Sequence, residues 1–383
     1  MKHMRSVFAF LLLSCWTWCL WSQTDSLPKR ENWLVRTAKN LYLDTLPPEK
    51  PRFLVYPTLG YAPETRFEFG ASALALFYAK QDHIRNRLSE VNVFTFITLE
   101  RQYGIWLDHA IYGDRDAWFF LGKIRLQRFP LLYYGIGPRT DGENPNLIDA
   151  NYLLLRERVL RKVRKNLFAG LEVDLQRLGQ PQFEPEPIVP PPGAAGSTNV
   201  GLGLGLVYDD RHNVLNVRHG HFAEIAYLRY APAWGSDFDF STFTFEGRWF
   251  QPMNHDESQV LAAQVFGAFS GGSPPFNQLA LLGGEQLMRG YYLGRYRDRQ
   301  YMAAQVEYRF LPFPFSKRLG GAAFLAVGGV APSIQDFAIT NFQPTGGVGI
   351  RYLIFPSKDI FVRFDVGFTR EGPGFYFFTG ESF

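Results

Sequence analysis

Polar and apolar residues alternate along most of this chain with a period of two. In Leu167–Gln176, Leu167, Ala169, Leu171, Val173 and Leu175 fall on one face, and Phe168, Gly170, Glu172, Asp174 and Gln176 on the other. In 66–78, Phe67, Phe69, Ala71, Ala73, Ala75 and Phe77 oppose Arg66, Glu68, Gly70 and Ser72. In 360–368, Ile360, Val362, Phe364, Val366 and Phe368 alternate with Phe361, Arg363, Asp365 and Gly367. In 304–310, Ala304, Val306, Tyr308 and Phe310 alternate with Gln305, Glu307 and Arg309. Successive side chains of a strand point to opposite sides, so this pattern predicts strands. Read throughout, it predicts sixteen: 52–59, 66–79, 89–100, 103–112, 116–127, 150–160, 165–177, 199–208, 220–231, 239–250, 257–268, 299–311, 321–330, 345–354, 359–369 and 374–383. No helical period intervenes. The connections split by length. Four long ones, 128–149, 178–198, 269–298 and 331–344, fall on one side, and short turns such as 113–115, 161–164, 251–256 and 355–358 on the other.

Composition narrows the class. Charged residues are 20% and aromatics 16%, with 36 Phe and 36 Gly. That excludes disorder, coiled coil and collagen, and disfavours a helical bundle. Net charge is +4 without a basic cluster, which excludes nucleic acid as an expected partner. Lys2 and Arg5 precede an apolar run, Ser6–Trp21, so residues 1–22 read as a signal peptide. Cys15 and Cys19 lie inside it, and no disulfide is expected in the remainder. Residues 23–51 read as a short polar lead-in, with a helical turn or two at Asn32–Asn40. No later stretch is apolar enough for a membrane helix. Alternating strands leave two options: a soluble β-sandwich with one wet face, or a closed membrane barrel. The polar faces carry opposite charges, as a lumen would, and sixteen is an even number. The expected fold is therefore all-β: a sixteen-stranded antiparallel transmembrane β-barrel over 52–383, in a bacterial outer membrane. The loop 178–198, with Pro190-Pro191-Pro192, is expected to be an extended polyproline segment.

Catalytic chemistry is sparse, and no catalytic, cofactor or metal residue is assigned. His219-Gly220-His221 could hold a metal, but no acidic group lies beside it in sequence, and a polar turn explains it better. No Ser stands in a nucleophile context. Gly201-Leu202-Gly203-Leu204-Gly205 sits inside an alternating strand, where glycine permits curvature or close packing and not phosphate binding.

The segment 281–310 carries the most information. Arg289-Gly290-Tyr291, then Tyr296-Arg297-Asp298, then Glu307-Tyr308-Arg309 resemble the loop-six motif of the BamA/TamA superfamily, the bacterial surface antigen family. Tyr208–Asn213 with Arg218-His219-Gly220 is similar to a turn of that family. Arg363–Gly367 followed by Gly374–Phe383 is similar to its last two strands. The likeness covers about 200–383 by motif, and 52–200 by strand pattern alone.

The resemblance implies a non-enzymatic barrel that aids insertion or transport of protein or lipid at the outer membrane. It would act through a weak seam between first and last strands. A passive pore or structural barrel is the alternative. Residues 23–51 are too few for a POTRA module, which implies a member without one, or one served by a periplasmic or lipoprotein partner. Outer-membrane lipid and the barrel-assembly machinery are the other implied partners, with Phe375, Phe377 and Phe383 as the C-terminal assembly signal. The resemblance further implies that the loop between strands eleven and twelve folds inward, carrying Arg289, Gly290 and Tyr291. Alternation puts Glu307, Arg363 and Asp365 on the lumen face, where an Arg fork can bridge a carboxylate bidentately. A solvated Arg289, with Asp365 paired only to Arg363, is the competing expectation.

Overall fold

The computed structural model describes residues 50–383, apart from 129, 213–215 and 357–358. The expected signal segment and the lead-in as far as residue 49 lie outside the described residues.

Sixteen antiparallel strands close into one barrel. They are β1 (Arg52–Ala62), β2 (Arg66–Tyr78), β3 (Leu88–Thr98), β4 (Tyr103–Tyr112), β5 (Trp118–Arg128), β6 (Asn151–Arg164), β7 (Leu167–Leu178) and β8 (Ser197–Asp209). The second half is β9 (Gly220–Tyr230), β10 (Phe240–Pro252), β11 (Gln259–Gly272), β12 (Gln300–Phe310), β13 (Leu319–Ala331), β14 (Phe342–Phe355), β15 (Ile360–Thr369) and β16 (Gly372–Thr379). Each strand pairs with the next in sequence, so every connection is a hairpin. The long connections gather at one end, which also carries the short β1–β2 and β15–β16 turns.

Burial decides between barrel and sandwich. The apolar side of the alternation points outward: Leu171 is 65% exposed, Phe69 49% and Phe368 56%. The charged side points inward, and Glu172, Asp174, Glu307 and Asp365 are buried. A sandwich would bury the apolar face. The interior is held by ion pairs instead. Arg158 bonds Glu172 at 2.7 Å and Glu224 at 2.6 Å, and Arg156 meets Asp174 at 3.0 Å. Local aromatic clusters supplement them, such as Tyr112, Phe119 and Phe168.

Two expectations are corrected. The proline-rich connection is not a free polyproline segment. Gln182–Glu184 pairs with Asn146–Asp149 in a three-stranded sheet over the barrel end, and the Pro192 carbonyl accepts the Phe276 N–H at 2.8 Å. Phe183 packs on Tyr133 and Phe276, so apolar cover holds the loop down. The last strand ends at Thr379, not Phe383. Gly380, at φ +88°, turns the chain and donates its N–H to the Phe361 carbonyl at 2.7 Å. Phe375 and Phe377 stay on the outer face, but Phe383 packs inside against Val217, Phe250, Val260 and Ala262. The reason is Glu381. In continued register its carboxylate would face hydrocarbon, whereas inside it meets the Arg351 guanidinium at 3.0 Å.

The glycines of β8 contribute close approach. A Cβ at Gly203 would collide with the Tyr227 carbonyl oxygen of the neighbouring strand, while one at Gly205 would find only ordinary contacts, the nearest at 3.6 Å. Gly203→Ala should therefore cost about 1–3 kcal/mol as an overpacked site, and Gly205→Ala little. Heat-modifiable gel mobility after graded heating measures this, and equal loss in the two variants would contradict the packing.

Candidate functional site

The connection between β11 and β12, residues 273–299, folds back into the barrel. Its neck is a two-stranded ladder, Ala280–Leu282 against Tyr296–Asp298. Its tip is held against the inner wall of β15 and β16 at a notch made by glycines. Gly367 and Gly374 are cross-strand partners, and both lack a side chain to fill the wall. Gly290 lies in that notch at φ +109°, and a Cβ on it would come within 2.6 Å of Thr369. The Tyr376 hydroxyl, from β16, accepts the Gly290 N–H at 2.9 Å. Tyr291 is buried with Leu282, Met288, Tyr301 and Val330.

This placement drives Arg289 into a buried ion cluster. Its guanidinium donates to Asp365 at 2.6 Å and to Glu307, and lies 3.5 Å from the centre of the Phe324 ring. Arg363 also donates to Asp365, at 2.7 Å. Arg351 donates to Asp365 and Glu381, and Arg309 to Glu307 at 2.7 Å. Arg309 donates as well to the Phe383 main-chain oxygen at 3.1 Å. Four guanidiniums thus share Glu307, Asp365 and Glu381. The cluster joins the loop tip to β12, β13, β14, β15 and the inward tail in one connected set.

Alternation placed Glu307, Arg363 and Asp365 on the lumen side, and all three lie in this cluster. Arg351 was missed, although Ile350 and Tyr352 flank it and its own alternation points it inward. In continued register Glu381 would lie on the outer face, and the break at Gly380 turns it inward. The rest of the motif anchors the loop elsewhere. Arg295 and Tyr296 bond Glu371 in the β15–β16 turn at 2.7 and 2.8 Å. Arg297 stacks over Tyr133 of the covering sheet, 4.8 Å from the ring centre.

The seam lies beside this loop. Every β1 residue from Arg52 to Ala62 pairs with β2. On its other side β1 pairs with β16 at Tyr61↔Phe377 and nowhere else among the described residues. Phe53, 77% exposed, and Val55, 60% exposed, flank the unpaired edge. One polar contact ties the β1–β2 turn to the loop: the Leu293 N–H donates to the Glu64 carboxylate at 2.5 Å. Burial pushes the Glu64 carboxyl up to about 7, against the lowering effect of that hydrogen bond. A cavity of about 660 Å³ opens between the loop and the β1–β5 wall, lined in part by Glu64, Glu68, Trp106 and Glu285.

Residues 161–383 match the Omp85 superfamily domain. BamA from Haemophilus ducreyi lacking POTRA domains 1-3 shares the fold at a TM-score of 0.55 and 14% identity, over 86% of this chain and 70% of that one. CdiB from Acinetobacter baumannii gives 0.58 and 10% over 86% and 59%. CdiB from Escherichia coli gives 0.55 and 10% over 88% and 63%. This chain therefore spans about three fifths of each CdiB chain. No curated protein matches it in sequence.

Two outcomes are expected. Arg289→Ala takes one buried donor from both Asp365 and Glu307 and cuts the loop tip from the cluster, and should cost about 3–5 kcal/mol as a broken buried pair. Asp365→Ala should cost a similar amount, and the double variant little more than either. Protease sensitivity of the loop and heat-resistant mobility report this; strictly additive losses would refute the coupling. Glu64 adds a pH dependence. Its folded-state pKa is raised above the ordinary 4.5, so its contribution is present below that value and fades as pH rises through about 7. Proteolysis at the loop tip should increase from mildly acidic to mildly alkaline pH, and Glu64→Gln should flatten that profile.

Proposed function

The chain belongs to the Omp85 superfamily, outer-membrane β-barrels of bacteria, and on that premise we propose that its β1–β16 seam aids the insertion or passage of a protein or lipid segment. The observation that carries this reading is the single ladder pair at Tyr61↔Phe377. Hydrocarbon offers no partner for an unpaired N–H or C=O, and each one left bare costs several kcal/mol. The edge of β1 from Arg52 to Gly60 is therefore a template for an incoming strand. No bond is made or broken in such a step, so no nucleophile or cofactor is required.

The Arg289 cluster would give the seam one rigid side. It ties β12 through β15 together, and Tyr376 adds β16 through Gly290. On the β1 side the loop holds on through the Glu64 contact. Flexing would then concentrate at β1 and the hairpins following it. Phe375 and Phe377, on the lipid face of β16, are the residues we assign to reading by the barrel-assembly machinery during biogenesis. Phe383, the third residue of that expected signal, is turned inward in the folded barrel. Outer-membrane lipid surrounds the wall, and a periplasmic or lipoprotein partner would bring cargo to the short-turn mouth.

A cysteine pair at Tyr61 and Phe377 tests the seam. The native sequence has cysteine only at 15 and 19, so background pairing is small. The oxidised pair should leave heat-modifiable mobility unchanged. It should also abolish any acceleration of folding of an unfolded outer-membrane barrel added to proteoliposomes, and reductant should restore it. Full activity in the oxidised form, or large steady ion currents unaffected by oxidation, would overturn the reading in favour of a passive pore.

A further inference from the structure

The β8–β9 and β10–β11 turns carry a group that the seam does not use. The β8–β9 turn doubles back on itself: the His212 N–H donates to the His219 carbonyl at 3.4 Å, and Asp210 N–H to the His221 carbonyl at 3.0 Å. That register sets the His212 and His219 rings face to face, with centres 4.2 Å apart. The β10–β11 turn reaches the same point. Glu257, held at φ +54°, brings its Oε2 to 3.2 Å from His219 Nδ1. One ligand atom from each of His212, His219 and Glu257 lies within 4.8 Å of the others.

We propose that His212, His219 and Glu257 bind a divalent transition metal of the zinc class, clamping the β8–β9 turn to the β10–β11 turn at the periplasmic mouth. Two imidazoles and a carboxylate suit Zn²⁺, Ni²⁺ or Cu²⁺ and not the all-oxygen preference of Mg²⁺ or Ca²⁺. Ligands about 2.0–2.2 Å from a tetrahedral ion stand roughly 3.3–3.5 Å apart. The His219–Glu257 separation of 3.2 Å is already close to that. His212 and His219 are both exposed, so a rotation of the rings brings the third ligand in.

His212 Nδ1 already meets the His219 main chain, 3.2 Å from its carbonyl oxygen, which leaves Nε2 as its ligand atom. Arg218, the nearest fixed positive charge, is paired with Asp359 at 2.7 Å and gives only a main-chain bond to Glu257. The Glu257 carboxylate is therefore left to His219. His221 is engaged with Asp210 at 3.3 Å and stands outside the group. Water would complete the fourth position.

The test is calorimetric titration of tag-free, refolded barrel with Zn²⁺ near neutral pH, alongside Ca²⁺ and Mg²⁺. One saturable Zn²⁺ site is expected, with no heat from the other two. His212→Ala, His219→Ala and Glu257→Gln should each weaken it about tenfold or more, while His221→Ala and His255→Ala leave it intact. Heat-modifiable mobility checks that each variant is folded. Should a variant fail to fold, Co²⁺ added to the parent barrel still decides. Intense tetrahedral absorption supports the site, and a weak octahedral spectrum overturns it. Absence of saturable Zn²⁺ binding, or binding lost on His221→Ala or His255→Ala, also overturns it.

Discussion

Hydrocarbon does not hydrogen-bond. A chain that crosses it must satisfy its backbone internally, and a sheet does so only by closing on itself. The barrel follows from this, as does its reversed patterning, with apolar side chains outside and charge inside. The same constraint makes the seam conspicuous. Fifteen strand junctions are extended ladders, two of them with a register shift, and the junction between β16 and β1 is one pair. At this seam the described wall does not meet the constraint by continuous strand pairing.

An interior filled with charge needs geometry in place of apolar packing. Arg289, Arg309, Arg351 and Arg363 would repel one another if unpaired. Glu307, Asp365 and Glu381 hold them apart and together. A buried ion cluster is weak support for stability, because desolvation cancels much of its Coulomb gain. Its use here is positional. Guanidinium forks accept few arrangements, so the cluster fixes where the loop tip and the tail must sit. The glycine notch at Gly367 and Gly374 adds the steric half of that instruction.

The barrel is consequently uneven around its circumference. From β12 to β16 the loop and ion cluster cross-brace the wall. Near β1 and β2 the loop makes one polar tie among the described residues, through Glu64, whose carboxyl burial pushes up to about 7. At the mouth formed by the β8–β9 and β10–β11 turns, Arg218 and the His212–His219–Glu257 group link neighbouring turns. A wall stiff on one side of a weak seam and lightly held on the other suits lateral exchange better than steady conduction.

The sequence by itself determined the strands, their number and which residues face in. Those are local properties, since a period of two carries side-chain direction at every position. It therefore located Glu307, Arg363 and Asp365 on the lumen side, and it put the Arg289-Gly290-Tyr291 loop between β11 and β12. Tertiary structure alone decided who meets whom. Arg289 and Asp365 are 76 positions apart, and their contact depends on strand order and register. Alternation could have pointed Arg351 inward, yet only the closed barrel brings it to Asp365. The inward turn at Gly380 depends on Glu381 finding two arginines from distant strands. His219 is joined by His212 and Glu257, and not by adjacent His221, because hairpin register outranks sequence proximity. The length of the β1–β16 ladder was likewise not legible, because closure is a property of the whole ring and not of any strand.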